Sequence, residues 1–233
     1  MKMKNWYDQL PVAGLCLVIA VLLLTGCQEG NLSKEHLKTP DTINAEKSHD
    51  LAIHYIKSAR SDEAVVQLKN ANERSGDAEA YCNLGFACID LGRYQEAVAP
   101  LKKAISLKPG LAEAHCNLGI AYIGLDRLKE AKEALDYAIS LKPDYAEAQA
   151  KLGLTYIMLG HCEQAVEPLK QAISLKPDDA GAHFGLGAAY AKLGNKGPAL
   201  EQYEILKTLD AKMAAQFMRE FQKQEKLMAQ NIQ

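Results

Sequence analysis

The sequence predicts an all-α protein built as a solenoid of paired helices, and three observations carry that expectation. The hexapeptide Ala-Ile-Ser-Leu-Lys-Pro recurs at 104–109, 138–143 and 172–177, so the chain repeats itself every 34 residues. A period of that length belongs to stacked supersecondary units rather than to one globular core. Ala and Leu are abundant while aromatics make up only 6%, which suits helix more than sheet. No segment shows the strict apolar–polar alternation of a half-buried strand.

The first 27 of the 233 residues stand apart. Lys2 and Lys4 give a positive start, and 11–25 is almost wholly apolar. That run is short for a membrane-spanning helix, which needs roughly 17–25 residues. A charged start, a short apolar run and small residues at its end describe a secretory signal. Its last residues, Leu24-Thr25-Gly26-Cys27, resemble the lipobox of bacterial lipoproteins. The resemblance implies cleavage of a signal peptide at 1–26 and acylation of Cys27. Gln28 in place of Asp favours the outer membrane, facing the periplasm, if the source is Gram-negative. An uncleaved anchor helix is the alternative, and both readings export the rest of the chain. Residues 27–44 then form an acylated tether, polar and without a helical apolar stripe.

From Ala45 to residue 211 the repeat dominates. Five units align, at 45–77, 78–111, 112–145, 146–179 and 180–213, and 212–233 follow as a helix with a short tail. Each unit reads as helix A, turn, helix B, turn. In 78–111, Tyr81, Leu84, Gly85 and Cys88 fall at i, i+3, i+4 and i+7, one buried helix face. Gly92 closes helix A. Ala97, Leu101, Ala104 and Ile105 give helix B its stripe, and Lys108 and Pro109 end it. Counting places from Ala78, Ala112, Ala146 and Ala180, glycine holds place 8 at 85, 119, 153 and 187, and alanine holds place 20 at 97, 131, 165 and 199. Small residues there let the two helices approach closely, and larger ones would overpack at a cost of ~1–3 kcal/mol. Pro100 and Pro168 lie inside helix B, where a local bend is expected. Met213, Phe217, Phe221 and Met228 fall roughly on one face of a helix predicted at 212–230, either a cap for the open end of the array or a docking helix for a partner.

The phased run of Leu-Gly, Tyr, Gly, Ala, Ala and Pro over 34 residues resembles the tetratricopeptide repeat. The resemblance implies a right-handed α-solenoid whose A helices line a concave groove. The chain departs from the family at place 4, where Tyr81, His115, Gln149 and His183 replace the usual Trp, and at Cys88, which replaces a Tyr. The first unit, with Ala52 for the glycine and Gly76 for the proline, is a degenerate end repeat.

No catalytic set is found: neither a Gly-rich phosphate loop, nor His-Glu-x-x-His, nor Cys-x-x-Cys. No enzyme activity, cofactor or metal site is expected. His115 and His183 share a place two units apart, and His49 and His54 have no evident third ligand. A net charge of −2 gives no field for nucleic acid. Cys82 and Cys116 hold the same place in adjacent units, but packed helices lie ~8–10 Å apart, beyond the ~7 Å limit for a disulfide, so no bridge is expected. Cys88 and Cys162 read as small core residues.

The groove implied by the resemblance would be lined at places 5, 6, 9, 12 and 13 by Cys82, Asn83, Phe86, Ile89, Asp90, Asn117, Ile120, Ile123, Lys151, Leu154 and Ile157. An apolar ladder on an open surface signals binding; the alternative is that neighbouring A helices bury these side chains against one another. Amides at Asn83 and Asn117 suit an extended peptide backbone. A chaperone-type carboxylate clamp is excluded by Glu79 and Glu147, where that clamp carries lysines. With Glu46, Glu79, Glu113 and Glu147 on the rim, a hydrophobic ligand of some basic character is expected. The expected function is a membrane-anchored protein–protein interaction scaffold, aiding assembly of an envelope complex such as a pilus or secretion system. The alternatives are a regulatory adaptor of a cell-wall enzyme and a soluble cytoplasmic adaptor.

Overall fold

A computed structural model describes residues 77–230. The expected signal at 1–26, Cys27, the tether and the unit at 45–77 fall outside the described residues, save Asp77. Four helix pairs and one longer helix follow in order: α1 (Ala78–Asp90), α2 (Tyr94–Leu107), α3 (Ala112–Gly124), α4 (Leu128–Leu141), α5 (Ala146–Met158), α6 (Cys162–Leu175), α7 (Ala180–Lys192), α8 (Lys196–Leu209) and α9 (Ala211–Gln230). The described residues contain no strand, and none of these helices is long and apolar enough to cross a membrane.

Each A helix packs on its own B helix, and the leucine at place 24 makes the joint. Leu101, Leu135 and Leu169 are at most 1% exposed. Each lies directly over the glycine at place 8 of its own unit: a Cβ on Gly119 would come within 2.6 Å of Leu135 Cγ. Alanines 97, 131, 165 and 199 are fully buried beside them. Close approach and a fully buried leucine, worth ~1.5–3 kcal/mol of apolar burial, are two sides of one arrangement.

The turn between A and B is also shared. In 78–111 it closes as a Schellman motif, with Gly92 N–H donating to Ile89 O and Arg93 N–H to Cys88 O, both at 2.8 Å. The motif needs a left-handed residue. Gly92, Gly160 and Gly194 supply it with φ of 69°, 81° and 77°, while the second described unit uses Asp126 at 58°. Pro100 and Pro168 sit within continuous helices.

Place 4, where the family motif has a Trp, works differently. His115 Nε2 lies 2.9 Å from the carbonyl of Pro109, Gln149 Nε2 donates to Pro143 O at 3.3 Å, and His183 Nε2 lies 3.0 Å from Pro177 O. Each side chain thus meets the carbonyl of the proline that follows the preceding helix B, tying neighbouring units together. His183 is 4% exposed, and its Nδ1 also meets Gln202 Oε1 at 2.7 Å.

Successive A helices touch: α1 on α3, α3 on α5, α5 on α7, and α7 on α9. Each B helix packs on its own A helix and on the next one, and makes no comparable contact with the next B helix. The A helices are therefore the closely spaced layer and the B helices the open one. An array spaced that way curves with its A helices on the inner face.

Helix α9 begins at Ala211, one residue before the expected 212. Ala211 stands where earlier units have proline, and Asp210 caps the helix at once, its Oδ1 accepting from the N–H groups of Lys212 and Met213 at 2.9 and 3.0 Å. Phe217, 2% exposed, lies over Gly187, with Cε2 2.8 Å from where a Cβ would stand. In the other units that place is filled by the leucine at place 24, here Tyr203. Phe217 also stacks with Tyr203 and Phe221 and meets Phe184 edge-on, with centroids 6.3, 6.0 and 5.8 Å away. Lys196 pairs with Glu225.

Candidate binding groove

The inner face is built from one side of each A helix, and exposure separates its residues into two groups. At place 9, Phe86 and Ile120 are half-buried and Leu154 is 39% exposed. Asn83 and Lys151 at place 6 are half-buried, and Asp90 at the end of α1 is exposed; partial burial raises the Asp90 carboxyl above its ordinary value. Places 6, 9 and 13 share one face of helix A.

Place 12 points elsewhere. Ile89 and Ile123 pack against the core, and Ile157 is part of it at 8% exposure. Cys82 and Asn117 are also buried, at 5% and 8%. The Asn117 amide donates to Cys82 Sγ at 3.6 Å and is not open to a peptide backbone. For Cys82, Asn117 and Ile157 the sequence expectation is corrected: they lie in the joint between neighbouring A helices, where contact closes over places 5 and 12 and, at Asn117 on α3, over place 6 as well. Place 9 is left as the more open apolar position of the inner face.

The four described cysteines, Cys82, Cys88, Cys116 and Cys162, are buried. Burial pushes the Cys82 thiol up to about 11 and the Cys116 thiol up to about 12. Tyr145 is raised too, chiefly by burial, and hydrogen-bonds Cys116. These thiols are neutral packing groups at ordinary pH. Among the described residues no three His, Cys, Asp or Glu side chains gather as metal ligands would.

The inner face is indented between α5 and α7. A cleft of about 370 Å³ opens there, lined by Ala150, Leu154 and Phe184 on its apolar side and by Glu147, Lys151 and Lys176 on its polar side. Gly181 and Gly185 also line it. They hold places 2 and 6 on α7, where earlier units carry Glu79 and Asn83, Glu113 and Asn117, Glu147 and Lys151. Phe184, Lys176 and the two glycines were not singled out from the sequence. The available signal was an absence: one unit lacks side chains at both place 2 and place 6 of helix A.

Two family models match the chain, described as "TPR repeat" over residues 87–126 and 158–194 and as "Tetratricopeptide repeat" over 112–145. Among solved structures, a thermophilic tetratricopeptide protein of Thermus thermophilus is similar at 24% identity, covering 76% of this chain and 98% of that one, with a TM-score of 0.63. MamA is similar at 29% identity over 73% of this chain and 94% of its own, with a TM-score of 0.60. The MamA of Desulfovibrio magneticus, solved from its residue 41 to its end, gives 24%, 72%, 96% and 0.61. No curated protein sequence matches. With the 34-residue register, the place-8 and place-20 packing and the layered A helices, these matches identify the chain as a tetratricopeptide-repeat protein.

Proposed function

We propose that the protein is a membrane-anchored interaction scaffold that takes a segment of a partner protein on the inner face of its A helices. The observation that carries this reading is the row Phe86, Ile120 and Leu154, partly open to solvent on a surface that ends in the cleft beside α7. Apolar side chains left open in register on a rigid concave face are suited to a partner segment. Rigidity lowers the ordering cost on this side of the complex. The anchor rests on Leu24-Thr25-Gly26-Cys27: acylation there would hold the array at a bilayer, two or more chains giving stable attachment, and would raise its effective concentration toward membrane partners. Such a protein suits assembly of an envelope complex such as a pilus or a secretion system.

Two experiments test the two parts. Crosslinking in the native cell, followed by recovery of partners by wild type and by a Phe86→Asp/Ile120→Asp/Leu154→Asp variant, addresses the groove. Helix content and thermal midpoint serve as folding controls. Equal recovery of the same partners by a folded variant rules the groove out. Metabolic labelling with a fatty acid addresses the anchor: label in wild type and none in Cys27→Ala is expected, and no label in wild type refutes it.

A further inference from the structure

The cleft between α5 and α7 differs from the rest of the groove in its charge. In the first described unit the lysine at place 31 is spent on its own helix A: Lys108 donates to Glu79 at 2.8 Å. Its counterpart two units on, Lys176, lines the cleft with Lys151, and neither ammonium pairs with a carboxylate among the described residues. Of the acidic groups present, Asp179 is engaged as the cap of α7, its Oδ1 accepting from Ala182 N–H at 3.1 Å. Glu147 remains as a free acceptor. The cleft therefore offers two cationic donors, one acceptor and an apolar wall of Leu154, Ala150 and Phe184.

We infer that this cleft seats an internal peptide segment in which an apolar side chain is followed closely by an aspartate or glutamate. The inference rests on the groove reading above and names the ligand chemistry at one place in it. The apolar side chain fits a volume of about 370 Å³ against Leu154 and Phe184. The carboxylate lies between Lys151 and Lys176, and Glu147 accepts a main-chain N–H. The acceptor selects a peptide over a simple organic acid, which has no N–H to give. Exposed Gly181 leaves the start of α7 without a side chain, so the segment's main chain can lie close to it, while Gly185 lets α7 approach Leu169 in the floor of the cleft. The groove continues toward Ile120, so the segment need not end in the cleft. This places an acidic preference at the α7 end, where the sequence, read from its glutamates, suggested a basic ligand throughout.

The test is a library of immobilised twelve-residue peptides, acetylated and prepared in two sets, one amidated and one ending in a free carboxylate, probed with the full chain as wild type, as Lys151→Glu/Lys176→Glu and as Lys151→Gln/Lys176→Gln. Both lysines are at least partly exposed, and matched helix content and thermal midpoint show that the variants fold. Wild type is expected to enrich sequences with Leu, Phe or Met followed within two positions by Asp or Glu. Each ion pair contributes up to about five-fold. The Gln variant loses that preference and the Glu variant turns it toward Lys and Arg. Peptides captured without acidic enrichment, or a selection unchanged in the Glu variant, overturn the inference and leave the groove reading standing. Enrichment that appears only when the peptides end in a free carboxylate overturns the internal-segment assignment. Capture of no peptide by any form overturns both readings.

Discussion

Replacing Phe217 with alanine should unfasten the last unit and leave the others in place. The ring is 2% exposed, lies over Gly187 and meets Phe184, Tyr203 and Phe221 within 6.3 Å between centroids. Truncating a buried phenylalanine costs ~3–5 kcal/mol, and three aromatic neighbours keep this one away from the low end of that range, at about 4 kcal/mol. In a solenoid each unit leans only on its neighbours, so the loss should stay near α7, α8 and α9. Hydrogen exchange followed by mass spectrometry reads this directly. Segments within 180–226 should lose protection by several hundred-fold, which about 4 kcal/mol implies, while those within 112–158 keep theirs. A second substitution sharpens the reasoning. Tyr203→Leu would restore the leucine that covers Gly85, Gly119 and Gly153 in the other units, so Phe217→Ala/Tyr203→Leu should recover ~1–2 kcal/mol, the value of a partly buried leucine. A loss below ~1 kcal/mol, the ordinary surface range, or equal loss from α1 to α9, would refute the idea that Phe217 takes over the leucine's place.

Four further outcomes follow from the same packing. Gly119→Ala places a Cβ 2.6 Å from Leu135 Cγ and 3.3 Å from Ala131 O, and should lower the urea midpoint by the equivalent of ~1–3 kcal/mol of overpacking. Asp126→Gly relieves a left-handed aspartate at φ 58° and should raise that midpoint by ~0.5–1 kcal/mol, the part of the left-handed penalty that aspartate still bears. His183→Leu removes a buried side chain that meets both the Pro177 carbonyl and Gln202 Oε1 and should cost ~0.5–1.5 kcal/mol per hydrogen bond lost in the same assay. The thiols give a pH dependence. Cys82 and Cys116 titrate near 11 and 12 in the folded chain against an ordinary 9.0, so the unfolded chain releases these protons first. Their contribution is complete below pH 9 and is lost as pH rises from 9 toward 12, at up to ~1.4 kcal/mol per pH unit for each thiol. Urea midpoints between pH 8 and 10.5 should fall more steeply in wild type than in Cys82→Ala/Cys116→Ala, and parallel curves would count against buried thiols.

What the sequence made legible is what repeats. Gly85, Leu101, Ala97 and their counterparts recur because two helices can approach only with those sizes at those places, and a constraint imposed in every unit shows itself as a period. Place 4 was harder to read. A tyrosine, two histidines and a glutamine look unrelated, yet His115, Gln149 and His183 all reach the same proline carbonyl. The constraint there is a polar atom at a given reach, which composition does not display. Cys82, Asn117 and Ile157 were misplaced for a geometric reason: helical periodicity gives the face of a residue on its own helix, but not how far the next helix leans over it. The cleft was hard to see because its lining includes two glycines, Gly181 and Gly185, which give no side-chain signal.

The unit at 180–209 is where the pattern fails most, and its departures are connected. Gly181 and Gly185 open the cleft, Tyr203 gives up the space over Gly187, and Leu206, fully buried, takes a place held by alanine in the three units before it. The first pair faces the groove and the second faces α9. Phe184 belongs to both: it lines the cleft, and it meets Phe217 edge-on at 5.8 Å. A side chain seated against Phe184 holds in place a ring on which the last helix also depends. Whatever binds the folded unit and not the unfolded one stabilises it in proportion to its affinity, and in an array coupled only through neighbours that gain is felt first by the unit that is bound. The end of the solenoid is thus the part whose stability a ligand in this cleft would change most.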